Sequence, residues 1–431
     1  MSPFQITAVA VCVGLNMLDG FDILVMAFSA SSVTAEWTLS GKQLGTLLSA
    51  GLVGMAAGAL ILAPLADRYG RRSIILASVS ITGIGMLGAG VCGSYGQLAA
   101  LRVVTGFGIG GILASAAVIV SEYAPQRRRS TALSLYAAGY SLGATVGGAI
   151  AAVLIARYGW RSAFQFGGVA SLAMLPAIYW RLPESFDFLA AQRPANALLQ
   201  LNALLRAMHL PVLDALPPRD PGAGDVGPRT IRPGPPPLSR TTWLVWISFF
   251  FTMAAYYFVV GWTPRLLTAH GFTAQQGITG GVLLNLGGLL GSLVFAVLVA
   301  RIDARWLTGI FLLLTAGAMA LFAGAMSTLP VALVAAVLLG LFSNGVMCGF
   351  YSVVPVLYPT RIRATGMGWA IGVGRFGAIL APVIAGMLVD RGIQAPQLYL
   401  LFLVSLLVAA VALAGIRTPQ ARGPVARSVG R

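Results

Sequence analysis

The sequence predicts an all-α membrane protein, with twelve transmembrane helices arranged as two six-helix bundles. Three observations carry that expectation. Only 9% of the 431 residues are charged and 58% are hydrophobic, where a soluble domain carries about 25% charged residues. Apolar runs of roughly 20 residues, long enough to cross about 30 Å of hydrocarbon, recur along the chain. A polar, proline-rich stretch at 182–240 divides those runs six and six. The runs are continuous, as in helices, and do not alternate as in the strands of outer-membrane barrels; mean hydropathy is +0.85.

In order, the runs lie at about 4–30, 43–66, 73–93, 97–120, 131–156 and 161–181, then at about 241–266, 276–300, 306–326, 329–354, 364–389 and 396–416. The chain thus divides into an N-terminal bundle at 1–181, a cytoplasmic linker at 182–240, a C-terminal bundle at 241–416 and a cytoplasmic tail at 417–431. No positive charge precedes the first run, which is too long for a signal peptide and contains two aspartates, so it is expected to remain as the first span. The 53 glycines suit helices that pack closely in lipid. Within the linker, residues 187 to 208 are expected to form one or two short surface helices. The segments 216–222 and 232–237, rich in proline, are expected to form an extended connection.

A net charge of +16 would suit a nucleic-acid partner, but the basic residues are scattered between apolar spans and not gathered on one soluble face. Their placement follows the positive-inside rule. With both termini cytoplasmic, cytoplasmic loops and tails hold 21 of the 28 basic residues, and the outer loops hold five: Lys42, Arg157, Arg161, Arg265 and Arg391. A multi-pass monomer in a bacterial inner membrane is the expectation, with the lipid bilayer as its partner and no nucleic acid. Cys12, Cys92 and Cys348 lie in apolar runs without ligand spacing and read as packing residues. The sequence shows no metal cluster, nucleophile elbow or phosphate-binding loop, so neither an enzyme activity nor a cofactor is expected.

The first run contains Leu18-Asp19-Gly20-Phe21-Asp22. An aspartate at mid-membrane costs roughly 3 kcal/mol or more and usually marks a substrate or proton path. Spacing by three puts both acids on one helix face, and Gly20 lets a second backbone approach. Two more charges fall inside spans, Arg102 and Arg375. Counted from the outer face, Asp22 is about 8 residues deep and Arg102 about 6, or roughly 12 and 9 Å. Counted from the inner face, Arg375 is about 11 residues deep, roughly 16 Å and close to the midplane, and Asp19 reaches a similar depth. Gly372, Gly374 and Gly377 leave little bulk around Arg375. The halves also repeat: Pro125 to Ala132 before the fifth run matches Pro359 to Gly366 before the eleventh, at an offset of 363 − 129 = 234, which also carries Gly143 onto Gly377. Many secondary transporters are built from such repeats, with the site between them.

The loop after the second run reads Ala63-Pro64-Leu65-Ala66-Asp67-Arg68-Tyr69-Gly70-Arg71-Arg72. It resembles the signature loop of the major facilitator superfamily, with Ala63 where that family usually has glycine. The resemblance implies that Asp67, Arg68, Gly70, Arg71 and Arg72 form a cytoplasmic gate that latches the two halves; the second copy, near Ala300 to Arg305, is degraded. Further stretches resemble the aromatic acid:proton symporters of that superfamily: Leu18 to Asp22, Leu101-Arg102 with Gly106, Gly108 and Gly110, Ser121 to Pro125, Leu182 to Ser185, Trp262 to Pro264, Tyr358 to Thr360, Arg363 to Gly366 and Gly372 to Ile379. The proline of the drug antiporters' helix-5 motif is missing from Gly143-Ala144-Thr145-Val146-Gly147-Gly148, which disfavours efflux of drugs.

The implied function is import of a small-molecule aromatic acid, of the benzoate or hydroxybenzoate class, with protons. The alternatives are a proton symporter for another organic acid (sialic acid, lactate, muconate) and a non-transporting membrane sensor. Helices 1 and 4 lie close together in that superfamily, so Arg102 is expected to pair with Asp22, and protonation of Asp22 to release it. Arg375 is expected to grip the carboxylate in competition with Asp19, with a proton on Asp19 favouring the substrate, so that Asp19 shares in the proton coupling. Asn16, Asn285 and Asn344 are open between lining the cavity and bridging helices, and Tyr256, Tyr257, Phe258, Phe350 and Tyr351 between stacking on a ring and packing.

Overall fold

The structure, a computed structural model, describes residues 1–194, 196–216, 240–358 and 363–416, with backbone alone at 363 and 364. The matched stretch 359–362 and the prolines of 217–239 lie outside the described residues, as does the tail from 417 on. Six helices make the first bundle: α1 (Pro3–Trp37), α2 (Gly41–Tyr69), α3 (Arg71–Ala89), α4 (Tyr95–Tyr123), α5 (Arg129–Tyr158) and α6 (Trp160–Arg181). Two short helices, α7 (Phe186–Gln192) and α8 (Ala197–Ala207), follow. Six more make the second bundle: α9 (Arg240–Ala269), α10 (Ala274–Leu298), α11 (Ala304–Ala325), α12 (Leu329–Leu357), α13 (Arg363–Asp390) and α14 (Ala395–Gly415). Twelve are long and apolar enough to cross a membrane, one for each run read from the sequence.

Local chemistry sets where the spans begin. Ser2, Ser40 and Thr273 each accept a hydrogen bond from the amide of a glutamine three residues on, whose side chain bonds back to the cap amide. Such capping boxes satisfy two orphan donors at a helix start. The turn from α2 to α3 passes through Gly70 at φ +96°, a conformation that favours glycine. Helix α1 continues seven residues past the apolar run because tertiary partners hold its polar end. Ser31 bonds Thr268 at 2.7 Å. Glu36 accepts from Trp160 at 2.7 Å and from both terminal nitrogens of Arg161 at 2.9 and 2.7 Å.

The bundles meet where α2 packs on α13, α5 on α10 and α1 on α9. One face of the protein carries Arg68, Arg71, Arg72 and Arg127 to Arg129; we call it the basic face. The hydrogen bonds between bundles lie toward the opposite face or at mid-depth. Asp390 accepts from the amides of Gly41 and Lys42 at 2.5 and 2.8 Å, Ser49 donates to the Ile379 carbonyl at 2.6 Å, and Asn344 reaches Ser141 at 3.4 Å. Backbones touch at the same end: a Cβ on Gly386 would lie 2.0 Å from the Gly41 carbonyl, and one on Gly45 2.2 Å from the Pro382 carbonyl. Among the described residues, the contacts between the bundles thus gather away from the basic face.

Candidate functional site

Burial in the first bundle concentrates on three charges: Asp19 is 1% exposed, Asp22 0% and Arg102 2%. Helix α5 crosses directly over Gly20, where a Cβ would stand 2.1 Å from the Tyr140 carbonyl. This crossing helps turn both acids inward, to a small cavity between α1, α3, α4 and α6 that is also lined by Leu15, Val79, Thr82, Ile112 and Ser171. Asp19 Oδ2 and both oxygens of Asp22 accept no hydrogen bond among the described residues. The corresponding cavity of the second bundle, between α9, α11, α12 and α14, has Thr252, Tyr256, Thr315 and Ser343 on its wall and no charge. Only the first bundle's cavity carries charge.

The expected Arg102–Asp22 pair is not formed in this structure: no N···O contact of 4.0 Å or less joins them. Met86 explains the gap. Arg102 Nη1 lies 3.9 Å from the Met86 sulfur, and Met86 Cε and Asp22 Oδ1 converge on the same point beside Gly167, 2.5 and 3.1 Å from it. The guanidinium instead reaches Gly51 of α2 and lies 6.0 Å from the Phe164 ring centre.

Asp19 and Arg375 do not pair either. Matching depth said nothing about which way each side chain faces: Asp19 points into its own bundle, and Arg375 stands between the two. Arg375 makes no hydrogen bond or ion pair among the described residues, and its charge reaches Tyr140, Tyr257 and Tyr351. Tyr256, its ring 5.4 Å from that of Tyr257, lines the second bundle's own cavity. All are half-buried or exposed, Tyr351 at 46%, although each is surrounded by helices. A cation with three phenols near it, one from the first bundle and two from the second, can receive an anion attached to an aromatic face. Two glycines do not serve as foreseen. Gly374 packs on Phe249 and Gly377 on the Phe250 carbonyl, so both are helix contacts, and only Gly372 faces open space.

The remaining candidates separate. Phe258 stacks on Phe402 at 4.0 Å and Phe350 meets Phe249 at 5.2 Å, both as core packing. Asn16 bonds the Tyr136 carbonyl at 2.6 Å and Asn285 the Gly281 carbonyl of its own helix at 2.8 Å. Among the cysteines, Cys92 lies in the α3–α4 loop, where burial pushes its thiol up and its sulfur donates to the Ala89 carbonyl. That is a packing role.

At the basic face, the signature loop is held within the first bundle. Arg71 bridges Asp67 at 3.2 Å and Glu122, and Glu122 accepts from Phe186 N at 2.8 Å. The Glu184 carboxylate accepts from Arg72 N at 3.2 Å, at the start of α3. The Arg72 guanidinium bonds the Tyr179 carbonyl, and Arg68 lies 5.3 Å from the Tyr69 ring centre. Asp67 has no partner from the second bundle among the described residues, and its side chain is 70% exposed. Sequence reasoning gave no role to Glu122, Glu184, Tyr140 or Asp390. Tyr140 had a readable signal, since it stands one turn from Tyr136 in a helix otherwise rich in Ala, Gly and Ser.

A family profile, the Major Facilitator Superfamily, matches residues 9–370 and 281–430. A gallate transporter of Pseudomonas putida is 32% identical over 96% of this chain and 92% of its own length. A 4-hydroxybenzoate transporter of Pseudomonas aeruginosa is 34% identical over 96% and 94%. Among solved structures, the inward-open conformation of the xylose transporter XylE from E. coli matches with a TM-score of 0.77 at 18% identity, over 97% of this chain and 98% of that one.

Proposed function

This chain belongs to the Major Facilitator Superfamily, and from that membership we propose that it imports an aromatic carboxylate by proton symport. The observation that carries the reading is Arg375, a cation without a carboxylate partner among the described residues, set between the bundles among Tyr140, Tyr257 and Tyr351. A benzoate-like acid brings what this place lacks: an anion for the guanidinium and a ring for the phenols. Similarity to gallate and 4-hydroxybenzoate transporters over nearly the whole chain supports the same class. The direct test is uptake of labelled 4-hydroxybenzoate into proteoliposomes. Accumulation above the outside concentration under an inward proton gradient, lost on adding a protonophore, is expected. Binding without accumulation would make the protein a sensor.

The basic face is cytoplasmic on this reading, because lysine and arginine set orientation. The structure is then the inward-facing state, closed outside by α2 on α13 and by α5 on α10. Asp390 is part of that closure, since its carboxylate caps the α2 amides from the other bundle, where the helix dipole favours negative charge. Both bonds are exposed to solvent, which discounts them to about 1–2 kcal/mol together. Asp390→Ala should therefore shift the population toward outward-facing by roughly tenfold. Spin labels on the exposed outer-loop residues Ser94 and Ser327 read this as a longer distance; an unchanged distribution would remove Asp390 from the gate.

Asp67 is the complementary element inside. Its exposed carboxylate, bridged here to Arg71 of the same loop, can meet the second bundle when the basic face closes. Asp67→Asn is expected to lower uptake several-fold at equal membrane level, because span hydropathy is untouched. Normal uptake in that variant would leave the loop as a topogenic charge cluster only.

A further inference from the structure

Helix α12 presents Asn344, Cys348 and Tyr351 at spacings of four and three, which places them on one face. All three are half-buried or exposed, whereas 345–347, 349 and 350 between them are buried. The Tyr351 ring meets that of Phe249 at 6.2 Å, and Phe249 packs on Gly374 beside Arg375, so this face adjoins the Arg375 site. Asn344 stands two turns further from the basic face, about 10 Å along the helix from Tyr351.

The orientation of the Asn344 amide is fixed by its neighbours. Its Nδ2 donates to the Gly288 carbonyl at 2.8 Å and to Ser292 Oγ at 2.9 Å, with Ser141 Oγ of the other bundle at 3.4 Å. A backbone carbonyl only accepts, so the atom facing Gly288 has to be the nitrogen. The oxygen Oδ1 is therefore turned away from α10, and it accepts no hydrogen bond among the described residues. We infer that Asn344 is a specificity-determining residue whose Oδ1 accepts a hydrogen bond from a ring hydroxyl of the substrate, at the end of the ring away from the carboxylate held by Arg375. Arg375 and Asn344 stand at similar depth, 375 − 363 = 12 and 357 − 344 = 13 residues from the ends of α13 and α12 at the basic face, so a ring held at both ends would lie across the space between these helices. The substrate class is thereby narrowed to hydroxylated aromatic carboxylates. A site with an acceptor placed for that hydroxyl disfavours an analogue that lacks the donor, because the acceptor is then left unpaired.

This inference rests on the aromatic-carboxylate reading, and calorimetry on the purified full chain separates the two. With benzoate, 4-hydroxybenzoate and 4-methoxybenzoate as probes, 4-hydroxybenzoate is expected to bind roughly tenfold tighter than benzoate. The methoxy acid keeps the oxygen but has no proton to donate, so it should bind no better than benzoate. These are wild-type measurements and hold whether or not a variant folds. In Asn344→Leu the ratio of 4-hydroxybenzoate to benzoate affinity should fall close to one. Equal loss of both acids in the variant, an unchanged ratio, or a methoxy acid that binds as tightly as the phenol would each overturn the assignment to Asn344. Binding of none of the three acids would instead overturn the aromatic-carboxylate reading.

Discussion

Arg375→Lys should weaken binding of an aromatic acid by roughly 10- to 100-fold in a protein that still folds and inserts. A guanidinium offers a planar fork of donors that matches both carboxylate oxygens, whereas an ammonium is a compact point charge that cannot reproduce the pair. Hydrogen bonds to charged groups contribute about 1.5–3 kcal/mol each, so loss of one is a factor of about ten or more. The substitution keeps the charge, which isolates geometry from electrostatics. The surroundings favour a clean result. Arg375 holds no ion pair among the described residues, so replacing it strands no buried carboxylate of the protein. The neighbouring glycines on Phe249 and Phe250 keep α13 seated on α9 whatever occupies position 375. Calorimetry with 4-hydroxybenzoate decides the matter; near-unchanged affinity would mean that the carboxylate is held elsewhere.

The number of spans was legible because hydropathy is a one-dimensional signal and lipid enforces it residue by residue. The run at 4–30 nevertheless ended early, since Ser31 and Glu36 stay helical only through partners on α9 and α6 that the local sequence does not contain. The charged candidates were legible for the same reason as the spans: a carboxylate or guanidinium in an apolar run is conspicuous. Their partners were not. Counting residues gives depth along a helix but leaves rotation about its axis open, so Asp19 and Arg375 matched in depth and still face different compartments. Asp390 was illegible for a different reason. It sits at a helix end beside Arg391, where an acid needs no explanation, and only the fold brings it to the first turn of α2.

Asp22→Asn should abolish proton-driven accumulation while leaving exchange of internal for external substrate intact. In this structure both Asp22 oxygens lack a hydrogen bond among the described residues. Ionised and unpaired, a carboxylate so deep in the membrane would cost roughly 3 kcal/mol or more. A proton removes that cost, and so does the guanidinium of Arg102 if it can reach across Met86. Methionine suits such a divider, because its unbranched chain moves between rotamers easily. On the proposed proton-symport reading, the transporter would alternate between Asp22 carrying a proton, with Arg102 against Phe164 as here, and Asp22 ionised against Arg102. With the first state loaded from the outside, lower external pH drives uptake. Asparagine resembles the protonated acid in shape and neutrality but cannot release a proton, so the variant is held to the loaded branch. Its exchange rate should become independent of pH between about 5 and 8, where the wild type responds. Asp22→Asn proteoliposomes that still concentrate 4-hydroxybenzoate against its gradient would show that the proton travels by another group.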